Sequence, residues 1–157
     1  MAVLLAAYNG MAWLQQQVQS ILAQQGVQVA LFISVDASTD GTRAWVQALS
    51  QAEPAVTLLP DAGRLGSAGA NFFHLLCQVD CATFDAVAFA DQDDIWLPDK
   101  VEKTLAEMKR LEMRYGADRP VLVHTDLRVV DNALETISPS FRVAMHADYT
   151  KTTLNQQ

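Results

Sequence analysis

The chain has 157 residues, half of them hydrophobic and 18% charged. That is one domain's worth of sequence with material for a core, and not the composition of a disordered segment. Eleven Lys and Arg against 18 Asp and Glu leave a net charge of −7, which argues against a nucleic-acid binder but not against a nucleotide ligand whose charge is met locally.

Residues 3–7 read as a first strand, and the Tyr8-Asn9-Gly10 that interrupts this apolar start, with no basic residue before it, excludes a signal peptide. Leu14, Val18, Ile21 and Leu22 recur at helical spacing, and Gly26 stops that helix. Ala30–Val35 reads as a second buried strand. Ser38-Thr39-Asp40-Gly41 is a turn that can cap a helix carrying Trp45, Val46 and Leu49. Residues 56–59 form a third, weaker strand, and the glycine-bearing loop 63–69 leads into a helix over 71–79. Cys77 and Cys81, the only cysteines, would share a face of that helix. They read as buried free thiols in a reducing compartment, too few for zinc and poorly placed for a disulfide. Residues 86–90 are a fourth strand, followed by an acidic loop. Pro98 suits the first turn of the next helix, which carries Val101, Leu105, Met108, Leu111 and Tyr115 on one side and ends at Gly116. Residues 121–124 read as a fifth strand; from Asn132 the pattern decays, and 146–157 is a polar tail. No apolar run approaches the ~20 residues of a membrane-spanning helix.

The order is β-α-β-α-β-α-β-α-β. Strands that are apolar throughout and joined by crossover helices imply α/β architecture: a doubly wound, mostly parallel sheet of about five strands, covered on both faces. Ligands in such sheets bind beyond the carboxyl ends of the strands, so the residues just after each strand carry the information. Tyr8-Asn9-Gly10 is either a loop approaching a flat ligand such as a base, or a plain turn. Asp36 can accept hydrogen bonds from a base or a ribose; capping the next helix needs only one of Ser38, Thr39 and Asp40. The segment from Gly66 to Asn71 can bring N–H groups to an anion, or it is a flexible turn with Asn71 as cap. Asp91-Gln92-Asp93-Asp94 is the strongest local signal. Carboxylates this dense repel one another unless a hard cation such as Mg²⁺ or Mn²⁺ sits among them. Read without a metal, the loop is solvated, with Asp94 and Asp99 favouring the dipole of the following helix. His124 and Asp126 would face the same side of the fifth strand, with His124 as a neutral buried histidine. His74 and His146 read as structural or surface residues.

Taken together, the set resembles the donor-binding half of a family 2 glycosyltransferase of GT-A fold, over about residues 2 to 145. The resemblance rests on Ala6-Ala7-Tyr8-Asn9-Gly10, on Val35-Asp36-Ala37-Ser38-Thr39-Asp40-Gly41-Thr42, on Gly66 with Asn71-Phe72, and on Asp91-Gln92-Asp93-Asp94 running into Ile95-Trp96-Leu97-Pro98-Asp99-Lys100. Val35 replaces the first of the family's paired acids; Asp36 keeps the second. Asp91-Gln92-Asp93-Asp94-Ile95-Trp96 and His124-Thr125-Asp126-Leu127 look closest to rhamnosyltransferase-like members.

The resemblance implies an inverting, metal-dependent transfer of a sugar, rhamnose among the candidates, from a nucleoside-diphosphate sugar to a glycan or lipid-linked acceptor, as in polysaccharide biosynthesis. Donor-site residues carried over are Ala6, Ala7, Tyr8, Asp36, Gly66, Asn71 and Asp91. Asp93 is carried over as the chief ligand of Mn²⁺ or Mg²⁺, with Asp91 nearby toward ribose or metal. It further implies a cytoplasmic protein, including one working at the inner face of the cell membrane. The family's acceptor half and its general base have no counterpart here, so residues 1–145 read as a donor domain cut short. The acids at Asp126, Asp131, Glu135 and Asp148 are given no base role. Little or no turnover is expected from these residues alone, unless a partner chain or a homodimer supplies the missing wall. Two other readings are a noncatalytic nucleotide-sugar-binding module and a phospho-acceptor receiver domain. The latter needs an acidic pair after the first strand, where Tyr8-Asn9 stands.

Overall fold

The structure is a computed structural model, and it describes residues 1–145. The chain divides into two compact units, Met1–Ala106 and Glu107–Gln157. The first holds β1 (Ala2–Ala7), α1 (Leu14–Leu22), β2 (Ala30–Val35), α2 (Thr42–Ala52), β3 (Val56–Leu58), α3 (Ala68–Gln78) and β4 (Val87–Ala90). The helix α4 (Lys100–Tyr115) begins in the first unit.

The sheet is parallel throughout, in the order β3-β2-β1-β4. Every residue of β1 is buried, as a central strand covered on both faces requires. Its side chains divide by alternation. Val3, Leu5 and Ala7 enter one core with Leu14, Val18 and Ile21 of α1 and Val46 of α2. Leu4 and Ala6 enter another with Leu75 of α3. Burying each such leucine stabilises the fold by about 1.5–3 kcal/mol.

The chain moves outward from β1 through β2 to β3, then crosses back to place β4 on the other side of β1. The β1/β4 boundary is therefore where the winding reverses, and a crevice opens there at the carboxyl ends. The pairing registers show the opening. β1 follows β2 as far as Ala7↔Val35, whereas its ladder with β4 stops at Leu5↔Ala90.

Several expectations are corrected. The sheet has four strands rather than five, since residues 121–128 form neither strand nor helix. Leu122 is 82% exposed, and His124 is exposed rather than buried. A three-residue apolar run has strand propensity, but without a partner ladder it has nowhere to place its N–H and C=O groups except water. The strands of the second unit, β5 (Val129–Val130) and β6 (Thr136–Ser138), instead form an antiparallel ribbon. A short helix, α5 (Phe141–Ala144), follows it.

The helix expected over 71–79 starts earlier because Ser67, not Asn71, is its cap: Ser67 Oγ accepts the Ala70 N–H at 3.1 Å. It also ends at Gln78, so Cys81 lies in a separate 3₁₀ turn, Cys81–Thr83. Both cysteines are free, but Cys77 is exposed and Cys81 half-buried, so neither is a buried thiol. Pro98 precedes α4 by two residues instead of opening it, and its carbonyl accepts the Gln25 N–H at 3.1 Å. Of the apolar side expected on that helix, only Val101 is buried, while Tyr115 is 52% exposed. The polar tail expected at 146–157, with His146 and Asp148, lies outside the described residues.

Candidate functional site

A cavity of about 610 Å³ opens at the carboxyl ends of the strands. Ala6 and Ala7 reach it from the end of β1 and Tyr8 from just beyond, Asp36 from just beyond β2, Gly66 and Asn71 from the loop before α3 and its first turn, and Asp91 and Asp93 from the loop after β4. The structure thus brings together every residue carried over for donor or metal binding. His124 and Asp126 belong to the second unit. There Asp126 is occupied with the Leu127 and Arg142 N–H groups and the Ser140 hydroxyl.

Asp36 is only 6% exposed, and it is held by three main-chain donors. Oδ1 accepts from Ala37 at 2.7 Å and Leu65 at 2.8 Å, and Oδ2 accepts from Gly66 at 2.8 Å. Burial alone would raise its pKa. The N–H donors of Leu65, Ala37 and Gly66, together with the charge of Arg64, outweigh that and hold it below the ordinary carboxylate range. A carboxylate has about four lone-pair sites. Three are used by the loop, leaving one on Oδ2 for a ligand.

The loops after β1 and β2 are laced together. Asn9, in the left-handed region at φ 47°, donates its N–H to Ser38 Oγ at 3.0 Å and accepts the Thr39 N–H at 2.8 Å. Gly10 N–H donates to Thr42 Oγ1 at 2.9 Å. Asp40 accepts the Met11 N–H on Oδ2 and both donors of Thr42 on Oδ1. Asp40 thus takes the Thr42 N–H that opens α2, and Asp36 is left to the cavity. Asn71 is 2% exposed, and its Nδ2 donates to Ala7 O and Ser34 O, both at 3.3 Å, tying the ends of β1 and β2. Its Oδ1 is buried without a partner.

The acidic loop has no regular structure, yet α1 and the residue Gln24 just past its end brace it. Gln17, fully buried, donates Nε2 to Asp91 O at 3.0 Å. Ser20 Oγ accepts the Trp96 N–H at 2.9 Å. Gln24 donates to Leu97 O at 2.8 Å and accepts the Val101 N–H at 2.9 Å. From the other side, Gln92 spans to the main chain of Tyr8 through both ends of its amide. The carboxylates are electrostatically uncomfortable: desolvation first, then the neighbouring Asp93 charge, pushes Asp91 up. Desolvation, then Asp91 and Asp93, does the same to Asp94 against the opposing pull of Lys100. Lys100 is pulled down by its own desolvation despite Asp94. Its Nζ lies 3.9 Å from the centroid of the Trp96 ring, a cation–π contact. Among the described residues, no group of three or more His, Cys, Asp or Glu is gathered to hold a metal ion.

Sequence reasoning missed Arg64, which lines the cavity, and the glutamine set Gln17, Gln24 and Gln92. A signal did exist for the first helix: Gln17 falls on its buried face beside Leu14, Val18 and Ile21, and Gln24 is buried just past its end. Polar groups there need partners.

The model of the family described as Glycosyl transferase family 2 matches residues 2–121. The chain belongs to that family. It is 38% identical over 102 residues to the dTDP-rhamnosyl transferase RfbG of Shigella flexneri, covering 64% of this chain and 35% of that protein. It is 32% identical over 107 residues to the putative teichuronic acid biosynthesis glycosyltransferase TuaG of Bacillus subtilis, covering 68% and 41%. The chain thus spans well under half the length of these relatives. Among solved structures, it resembles the mannosyltransferase PcManGT from Pyrobaculum calidifontis in complex with GDP-Man and Mn²⁺, with TM-score 0.54, 23% identity, and coverage of 66% and 30%. It also resembles residues 1-349 of TarS from S. aureus in complex with UDP-GlcNAc, with TM-score 0.57, 18% identity, and coverage of 82% and 40%. These likenesses establish the fold, the α/β arrangement of GT-A glycosyltransferases. No helix among the described residues is long and apolar enough to cross a membrane.

Proposed function

We propose that this chain carries the nucleotide-sugar-binding side of an inverting glycosyltransferase that passes a hexosyl unit, rhamnosyl in particular, to a glycan or lipid-linked acceptor. The observation that carries the reading is the convergence of Tyr8, Asp36, Gly66, Asp91 and Asp93, from four separate segments, on one cavity at the β1/β4 switch point. The rhamnosyl choice is supported by the relative named as a dTDP-rhamnosyl transferase. The lipid-linked acceptor is supported by a relative, 27% identical, whose acceptor is named as a diphosphoundecaprenol-linked sugar. Such an acceptor goes with a site of action at the cytoplasmic face of a membrane.

In the reaction, an acceptor hydroxyl attacks the anomeric carbon, its proton passing to a general base that this reading places outside these residues, and the bond from that carbon to the diphosphate breaks as the nucleoside diphosphate leaves. Tyr8, 56% exposed, offers its ring to the base. Asp36 offers its remaining lone pair to a base N–H, and the ends of β1 at Ala6 and Ala7 line the base edge. Arg64 lends positive charge to the diphosphate. Asp91 and Asp93 fit a Mn²⁺ or Mg²⁺ ion. Two repelling carboxylates from one loop are a usual protein share for a cation that keeps waters and takes its other ligands from phosphate oxygens, so a third protein ligand is not required. Such an ion supplies positive charge for the leaving diphosphate.

The test is a thermal-shift panel of UDP-, GDP- and dTDP-sugars with and without Mn²⁺. A rise in midpoint with one nucleotide class, larger with Mn²⁺ than with EDTA, is expected, since a ligand that binds only the folded state stabilises it. No shift with any member of the panel overturns the reading.

A further inference from the structure

Between Asp91 and Asp93 in the loop after β4 stands Gln92, and its side chain is committed to neither of them. Tyr8 N–H donates to Gln92 Oε1 at 2.6 Å, and Gln92 Nε2 donates to Tyr8 O at 2.9 Å. This pair of bonds is what a neighbouring strand would offer. It is made three residues beyond Leu5, where the β1/β4 ladder ends. A side-chain amide thus continues the pairing across the gap that the diverging strands leave. The fit is closed on its far side by Gly10: a Cβ there would lie 2.6 Å from Gln92 Oε1 and 3.0 Å from its Cδ. Gly10 is not among the positive-φ residues, so a side chain at this position is opposed not by backbone strain but by the end of the Gln92 amide, which would have to leave its bonds to Tyr8 to make room. On the other flank, Asp91 O is held by buried Gln17 at 3.0 Å, so the loop is anchored independently of Tyr8.

We propose that Gln92 is a positioning residue that sets the aromatic side of the cavity, at Tyr8, at a fixed distance from its acidic side, at Asp91 and Asp93. The inference rests on the nucleotide-binding reading above. A nucleoside diphosphate is a rigid-ended ligand: its base and its phosphates must both be met, and a cavity whose two walls drift apart meets only one at a time. The amide removes that freedom before the ligand arrives. Its effect is exerted through the Tyr8 ring, so the contribution of Gln92 to binding should vanish when the ring is gone. The penalty of filling Gly10 should likewise vanish when the amide is gone.

The experiment is calorimetry on the full 157-residue chain with Mn²⁺ and whichever of dTDP, UDP or GDP binds tightest. It compares wild type, Gln92→Ala, Tyr8→Ala, Gly10→Ala and the doubles Tyr8→Ala/Gln92→Ala and Gly10→Ala/Gln92→Ala. Gln92→Ala and Gly10→Ala should each weaken binding about tenfold, the scale of one lost pair of hydrogen bonds. The Tyr8 double should be no weaker than Tyr8→Ala alone by more than about twofold, and the Gly10 double should match Gln92→Ala. General loss of stability would give additive penalties instead. Additive penalties in both doubles, or a Gln92→Ala chain that binds like wild type, overturn the proposal while leaving the nucleotide-binding reading standing. A wild-type chain that binds none of the three diphosphates overturns both.

Discussion

Gly66 and Asp36 lie 30 residues apart in the chain and meet at 2.8 Å, the Gly66 N–H donating to Asp36 Oδ2. Gly66 adopts φ +82°, a conformation glycine tolerates and other residues resist. The loop before α3 is therefore shaped around a negative charge. Asp36→Asn should release it. An asparagine amide cannot accept on both arms, so at least one of the three N–H donors would face another donor. A loss on the order of 2 kcal/mol in urea denaturation is expected, with weaker nucleotide binding. An unchanged midpoint would show that the loop holds its shape without the carboxylate.

The same carboxylate predicts acid sensitivity. Its folded pKa lies below the reference of 3.8, so the folded state favours the charged form. The stabilisation is present in full above the unfolded value and is lost as pH falls through the folded one. Between neutral pH and about pH 3, wild type should therefore lose more stability than Asp36→Asn. Parallel denaturation curves of the two chains, converging on acidification, are the expected result; curves that keep a constant separation would contradict it.

Asp93→Ala should remove the metal dependence of nucleoside diphosphate binding. In calorimetry, wild type should bind more tightly with Mn²⁺ than with EDTA, by about tenfold or more, since without a cation the proposed diphosphate site has only the charge of Arg64, which lines the cavity, to set against the acids of the loop. The variant should bind equally in both. A variant that kept the full Mn²⁺ response would move the cation away from this loop.

Core substitutions should separate the sheet from the segment after α4. Leu4, fully buried beneath α3, should cost about 2–5 kcal/mol when cut to alanine. Leu122, 82% exposed, should cost under about 0.5 kcal/mol. Similar losses at both positions would mean that 121–124 is buried after all.

The central strands were legible because burial on both faces leaves a compositional trace: Ala2–Ala7 and Ala30–Val35 are apolar almost without interruption. The run at 121–124 carries the same trace, and no strand forms. Whether an apolar run becomes a strand depends on a partner edge, which local sequence does not encode. The acids of the site were legible because few structural roles require so many carboxylates in one loop. Asn71 was legible as a site residue through the resemblance alone; its local sequence fits a helix cap equally well, a role that Ser67 four residues earlier takes instead. The glutamines were not legible as site residues. An amide can donate and accept with equal ease, so its use is decided by what the fold brings within reach. Gln92 meets Tyr8 across 84 residues of chain.

The brace between α1 and the acidic loop has a consequence for time as well as place. The N–H of Trp96, in the irregular loop, and that of Val101, in the first turn of α4, are bound by Ser20 of α1 and by Gln24 just past its end, 76 and 77 residues earlier in the chain, and the apolar face of α1 lies in the main core. An irregular segment, or the first turn of a helix, ordinarily exchanges its amide hydrogens by local opening. These two can be freed only if Ser20 and Gln24 let go. Their exchange should therefore track α1 and the sheet, orders of magnitude slower than the exposed loop around Gly63. The stretch that carries the acids would then be among the last parts of the first unit to loosen, a rigid fixture built from irregular chain.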